Sequence, residues 1–168
     1  MKKNVFIEFF WFFVKALILV VILIKFVFMP CVVNGTSMRP TYEEGDYGYS
    51  FILTKMLGIS RFDTVVIRPD PEDSEKLLVK RVIGLPGDTV EYKDNVLYIN
   101  GEACAEDFLG DVTTQDLQIK LGDNEYYCLG DNRNVSRDSR FYGPFRNDQI
   151  VSTHFFIIYP FTDIGFNK

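Results

Sequence analysis

Histidine is almost missing from this chain of 168 residues; His154 is the only one. Cysteine is scarce too, and Cys31, Cys104 and Cys128 form no C-x-x-C pair. These shortages exclude a zinc site of the usual Cys/His spacing, and no metal or organic cofactor is implied. They also leave a Ser–His–Asp triad no base except His154. That residue sits in VSTHFFIIYP (151–160), a predicted core strand where a structural imidazole is the plainer reading. Positive charge is short beyond the first thirty residues. Four of the 18 basic and one of the 23 acidic residues lie within 1–30, so the rest carries 14 against 22, a net −8. A body of that sign does not suit nucleic acid, whose binding depends on neutralising phosphates. Internal repeats, low-complexity linkers and long amphipathic helical patterns are absent as well, and the length suits one domain with an appendage.

What is present begins with a long apolar run. Residues 4–29, NVFIEFFWFFVKALILVVILIKFVFM, lack Gly and Pro and are long enough to cross a hydrocarbon layer of ~30 Å as a helix. Glu8, Lys15 and Lys25 interrupt the run. Its Leu, Ile, Val and Phe residues contribute roughly −5 to −10 kcal/mol, against about +5 to +7 for two lysines at central depth. Lysines also snorkel toward headgroups, so insertion wins by a modest margin. No small-x-small cleavage site follows, since the chain continues FMPCVVNG, and Pro30 precedes Cys31 where a lipid-modified cysteine would need a small residue. The expectation is a retained single-pass anchor over 1–29. Lys2 and Lys3 put its amino terminus in the cytoplasm and a 30–168 domain outside, in the plasma membrane of the cell.

Beyond residue 30 the patterns are short and strand-like. They are YGYSFIL (47–53), TVVIR (64–68), LLVKRVIG (77–84), LQIK (117–120), YYCLGD (126–131) and 151–160. VEYKDNVLYING (90–101) reads as a hairpin turning at Asp94-Asn95. Strands separated by Gly, Pro, Asn and Asp turns predict a mainly β, antiparallel domain. Cys104 and Cys128 lie outside the membrane, where a disulfide can form, but free thiols are the expectation.

Three segments carry the chemistry. In NGTSMRPTYEEGD (34–46), Ser37 follows Gly35 and Thr36, and Pro40 closes a turn; such a turn can present a hydroxyl with backbone N–H groups beside it. In LLVKRVIGLPGD (77–88), alternation puts Leu78, Lys80 and Val82 on one face. An ammonium there is costly unless paired, neutral or at an edge, and on this stretch alone an edge lysine that blunts aggregation is the ordinary reading. GDNRNVSRDSRFYG (130–143), taken alone, reads as a solvated loop with surface ion pairs.

In this order, behind one apolar span, SMRPT, KRVIGLPGD and GDNRNVSRDSRFYG together resemble the boxes of the type I signal peptidases, with the weaker RFDTVVI (61–67) beside them. These are membrane-anchored serine proteases with a serine–lysine dyad, and the likeness is to their compact form. It covers the anchor and most of the β core but says little about 102–125. The resemblance implies Ser37 as nucleophile and Lys80 as general base. Ser136 would orient the amine, Arg81 would pair with Asp131, and Asp138 with Arg140 would brace the same wall. Met38 would shape the substrate pocket. Gly35 stands where some members carry an oxyanion-donating serine, so the Ser37 N–H would carry more of that role. Phe62 replaces the glycine usual before the aspartate of the weaker motif, which questions that turn's conformation.

Chemistry supports the pairing. A serine hydroxyl needs a neutral base, and burial against Leu78 and Val82 would lower a lysine's pKa toward usefulness. The expected substrates are secreted pre-proteins with small residues at the first and third positions before the cut, lying along an exposed strand edge. The expected partners are therefore those pre-proteins and the lipid bilayer. Soluble serine–lysine autoproteases such as LexA-like repressors share this kind of core but not the span. An enzyme or assembly factor dedicated to pilus or surface-protein biogenesis is the alternative; both Ser37 and Lys80 are present here, whereas non-catalytic relatives lose dyad residues. Substrate range and oligomeric state are not legible in the sequence.

Overall fold

The computed structural model describes residues 5–73, 76–110 and 113–166. Lys2 and Lys3, on which the predicted orientation rests, lie outside them. The apolar run forms α1 (Val5–Val27), whose described side chains are almost all exposed. The stretch Val5–Ile22 has a mean hydropathy of 2.5 and is long and apolar enough to cross a membrane. The helix stops two residues short of the expected boundary. Phe28 and Met29 already belong to β1 (Phe28–Val32), so no linker separates the helix from the body. Pro30 cannot donate to a ladder, and β1 accordingly lies at a sheet edge.

The strands of the body pair antiparallel. β2 (Tyr47–Phe51), β3 (Thr64–Ile67), β4 (Leu78–Gly84), β9 (Glu125–Leu129), β10 (Phe145–Arg146), β11 (Ile150–Tyr159) and β12 (Gly165–Phe166) join β1 in the larger sheet. Its order is β1-β2-β11-β3-β4-β9-β10, with β12 paired to β11. A smaller sheet runs β7-β6-β5-β8, from β5 (Thr89–Lys93), β6 (Val96–Ile99), β7 (Glu102–Cys104) and β8 (Leu117–Lys120). The hairpin turns at Asp94 and Asn95, both left-handed (φ 49° and 65°), as a tight two-residue loop requires. Val90, Tyr92, Leu97 and Ile99 of that hairpin bury against Ile83 and Leu129 of the larger sheet, which fastens the sheets together. β10 and β12 are two-residue strands and β7 has three residues, too few to show alternation. The three cysteines are free thiols.

His154 departs from its expected place in the core. Register slips between Thr153 and Phe155, His154 takes φ 57°, and its side chain is half-exposed. The bulge turns the imidazole out of β11 toward Asp63, with Nε2 3.4 Å from Oδ1.

Candidate active site

Ser37 lies in the loop between β1 and β2, where one helical turn closes with the Tyr42 N–H on the Met38 carbonyl at 3.0 Å. Gly35, two residues ahead, has φ +90° with open space where a Cβ would point, so glycine is there for the backbone rather than for room. Met38 is fully buried with Val33, Tyr42, Phe155 and Ile157, anchoring the loop to the core.

Lys80 stands on β4, opposite Val65 of β3. It is not a lysine reaching for water: β4 has no β9 partner before Arg81, yet Lys80 is only 2% exposed. Its Nζ lies 2.8 Å from Ser37 Oγ and 2.8 Å from the Val79 carbonyl oxygen. Burial lowers its pKa from 10.5 to about 8, opposed by the Asp138 and Asp131 carboxylates, which favour the ammonium. About a tenth of the amine is then neutral at pH 7, against a negligible share for a free lysine.

The third segment holds this pair from the far side and is no solvated loop. Asp131, Arg133, Asp138 and Ser139 are all buried. Arg81, next to Lys80 and therefore on the opposite face of β4, grips Asp131 through two bonds of 2.9 and 2.7 Å, and Thr41 also donates to that carboxylate. The Asn132 N–H donates to the Ser37 carbonyl at 3.0 Å, tying the loop to the serine's own backbone. Asp138 accepts from the Gly130 N–H at 3.0 Å and from Arg140 at 2.9 and 2.8 Å, and it caps α2 (Ser139–Tyr142). Burial raises the Asp138 carboxyl, but the bonds from Arg140 and Gly130 outweigh it and hold the pKa below the ordinary value.

Ser136 differs from its expected role. Its hydroxyl is buried and makes no hydrogen bond to Lys80; the second partner of the amine is the Val79 carbonyl. Phe62 adopts the left-handed conformation (φ 71°) that glycine would take at ease. Its N–H donates to the Val82 carbonyl at 2.7 Å, its carbonyl accepts from Arg81 at 2.9 Å, and its ring packs on Phe108 at 5.1 Å.

Sequence reasoning missed Arg133. Its guanidinium is buried and donates to the Gly130 carbonyl (3.0 Å), Tyr92 Oη (2.8 Å), Thr114 Oγ1 (2.9 Å) and Glu106 Oε1 (2.5 Å). Glu106 and Thr114, from a stretch silent in sequence, thus brace the loop that carries Asp131 and Asp138. Partners separated by 19 to 41 positions leave no local spacing to read.

A groove of about 250 Å³ leads to the pair, lined on one side by Pro30–Asn34 and on the other by Leu77–Lys80, with Met38 and Val66 beneath. Both sides carry free strand edges. Among the described residues, β1 pairs only with β2, and β4 meets β9 only from Arg81 onward.

The family model for "Signal peptidase, peptidase S26" matches residues 6–159. Signal peptidase I S of Bacillus subtilis (strain 168) is 38% identical, over 97% of this chain and 94% of its own length. Signal peptidase IB of Staphylococcus aureus (strain MRSA252) is 36% identical, over 90% of this chain and 88% of its own. The crystal structure of a signal peptidase I from Enterococcus faecalis V583 superposes with a TM-score of 0.51 at 35% identity, covering 56% of this chain and 95% of that one.

Proposed function

The chain belongs to the signal peptidase, peptidase S26, family, and on that premise we propose that it is a membrane-bound serine endopeptidase that releases secreted pre-proteins from their signal peptides. Ser37 is the nucleophile and Lys80 the general base. The observation that carries this is the 2.8 Å approach of Nζ to Oγ, made by a lysine whose pKa burial has lowered to about 8.

In the reaction, neutral Lys80 takes the Ser37 proton as Oγ attacks the scissile carbonyl carbon. The oxyanion is met by the Ser37 N–H, and Gly35 supplies no hydroxyl to help. The Lys80 ammonium then protonates the leaving amine, and the freed Lys80 deprotonates the water that hydrolyses the acyl-serine. The Val79 carbonyl fixes the amine in line with Oγ in place of a hydroxyl from Ser136. Arg81, Asp131, Asp138 and Arg140 hold the walls. The substrate lies extended between the free edges of β1 and Leu78–Lys80, bonded through its backbone. Met38 lines the groove that takes the side chains before the cut. α1 anchors the body, residues 30–168, on the extracytoplasmic face of the plasma membrane.

Purified protein with a fluorogenic signal-peptide substrate, beside Ser37→Ala and Lys80→Arg, tests this. Both variants should be inactive: Ser37→Ala at a nearly unchanged thermal transition, because a hydroxyl contributes little packing, and Lys80→Arg because a guanidinium keeps its proton throughout the working range. Activity within tenfold of the parent in either would remove that residue from its role.

A further inference from the structure

A second cavity, of about 590 Å³, shares no lining residue with the Ser37–Lys80 groove. Its size falls within the range of small-molecule sites, roughly 300–1,000 Å³. The walls are chiefly aromatic, from Phe51, Phe62, Phe108, Phe155 and Phe166. Both guanidinium groups bordering it are already matched, Arg61 by Asp88 at 3.0 Å and Arg81 by Asp131 at 2.7 Å. Asp63 accepts from the Ser60 N–H at 2.8 Å and lies 3.4 Å from His154 Nε2, an ion pair only when the imidazole is protonated. An anionic ligand would find no free guanidinium to meet it, whereas an uncharged apolar chain would find a surface of rings.

The cavity is continuous with the exit of α1. Phe28, the first residue after the helix, packs on Phe51 at 5.1 Å, and Phe51 packs on Phe166 at 5.8 Å, so a ladder of rings runs from helix to cavity. The Ile52 N–H donates to the Val27 carbonyl, the last of α1, at 2.9 Å. Directly after Ile52 comes a 3-10 turn, Leu53–Leu57, whose Met56 and Leu57 are 83% and 88% exposed. The only charge in that turn, Lys55, is folded inward onto the Asn147 and Ile150 carbonyls at 2.5 and 2.6 Å. What the turn offers outward, level with the end of the span, is therefore apolar.

We propose that this cavity takes up one acyl chain of a bilayer lipid, entering past the packed rings of Phe51 and Phe166. The inference rests on the membrane-bound reading above. The inner end of the cavity reaches Arg81, Thr64 and Tyr42. Tyr42 bonds to Thr64 at 3.0 Å and closes the turn that carries Ser37, so an occupant bears on the support of the catalytic loop.

The full chain, reconstituted without substrate in phosphatidylcholine vesicles doped with a lipid bearing a diazirine on one acyl chain, is illuminated, digested and mapped by mass spectrometry. Adducts are expected on α1 and on the peptides holding Phe51, Phe62 and Phe155. Phe166→Asp, which sets a carboxylate in the mouth, should cut the cavity adducts about tenfold and leave those on α1. Thr54→Trp, filling the cavity from another wall, should do the same. Val135→Asp, at an equally exposed position outside the cavity, should change neither. Labelling of α1 without the cavity, or cavity labelling indifferent to both variants, overturns this inference alone. Absence of label from α1 and cavity alike overturns the membrane-bound reading with it.

Discussion

Gly130→Ala adds a single methyl group at the most crowded point behind the dyad. A Cβ there would stand 2.2 Å from Ser136 Oγ and 2.4 Å from the Ser37 carbonyl oxygen, distances that real Cβ atoms do not show. Rotating the serine would relieve the first contact but not the second, which is backbone. Gly130 itself cannot retreat, because its N–H is held by Asp138 and its carbonyl by Arg133, each at 3.0 Å. The strain must go into the Ser37 loop. Overpacking of this kind costs about 1–3 kcal/mol of stability. A displacement of the nucleophile on the order of 1 Å costs about a hundredfold in rate. kcat/KM on a signal-peptide substrate should therefore fall about a hundredfold or more, in a protein whose urea midpoint drops only modestly. Full activity at an unchanged midpoint would show that the loop yields freely, and the account of how Ser37 is held would be wrong.

Two further outcomes follow from the buried charges. Asp131→Asn leaves Arg81 as an uncompensated buried cation, so chemical denaturation should show a loss of about 3–5 kcal/mol; a loss below about 1 kcal/mol would contradict the pairing. Lys80 costs the fold stability. Its folded pKa of about 8 lies below its ordinary 10.5, so the unfolded chain holds the extra proton between those values, and stability rises with pH across that window. At 1.36 kcal/mol per pH unit the cost below pH 8 is about 3 kcal/mol, and Lys80→Met should be more stable than the parent at pH 7 while inactive. Equal stability of the two at pH 7 would show the amine to be well solvated.

β2 to β6, β8, β9 and β11 were legible because alternation and turn residues coincide there, and Asp94-Asn95 named its own turn. β7, β10 and β12 are too short for any period. β1 was hidden because the apolar run passes into it without a break and α1 stops at Val27 for lack of further helical bonding, not for lack of hydrophobicity. In the site, Lys80 stood out because an ammonium does not belong between Leu78 and Val82. Ser37 and Asp131 became readable only through resemblance, since their own segments look like ordinary polar loops. Arg133 was beyond reach because its worth depends on Tyr92 arriving from the smaller sheet and on Glu106 and Thr114 arriving from positions between β7 and β8. The Val79 carbonyl carries no side-chain signature at all, and it takes the position that resemblance assigned to Ser136.

The central claim is that a buried, neutral Lys80 activates Ser37, and the pH profile of kcat/KM tests it most directly. The rate should climb as pH rises through a midpoint near 8, the folded pKa of Lys80, because only the deprotonated amine can accept the Ser37 proton. A rising limb centred near the ordinary 10.5, or a rate indifferent to pH from 6 to 10, would contradict it.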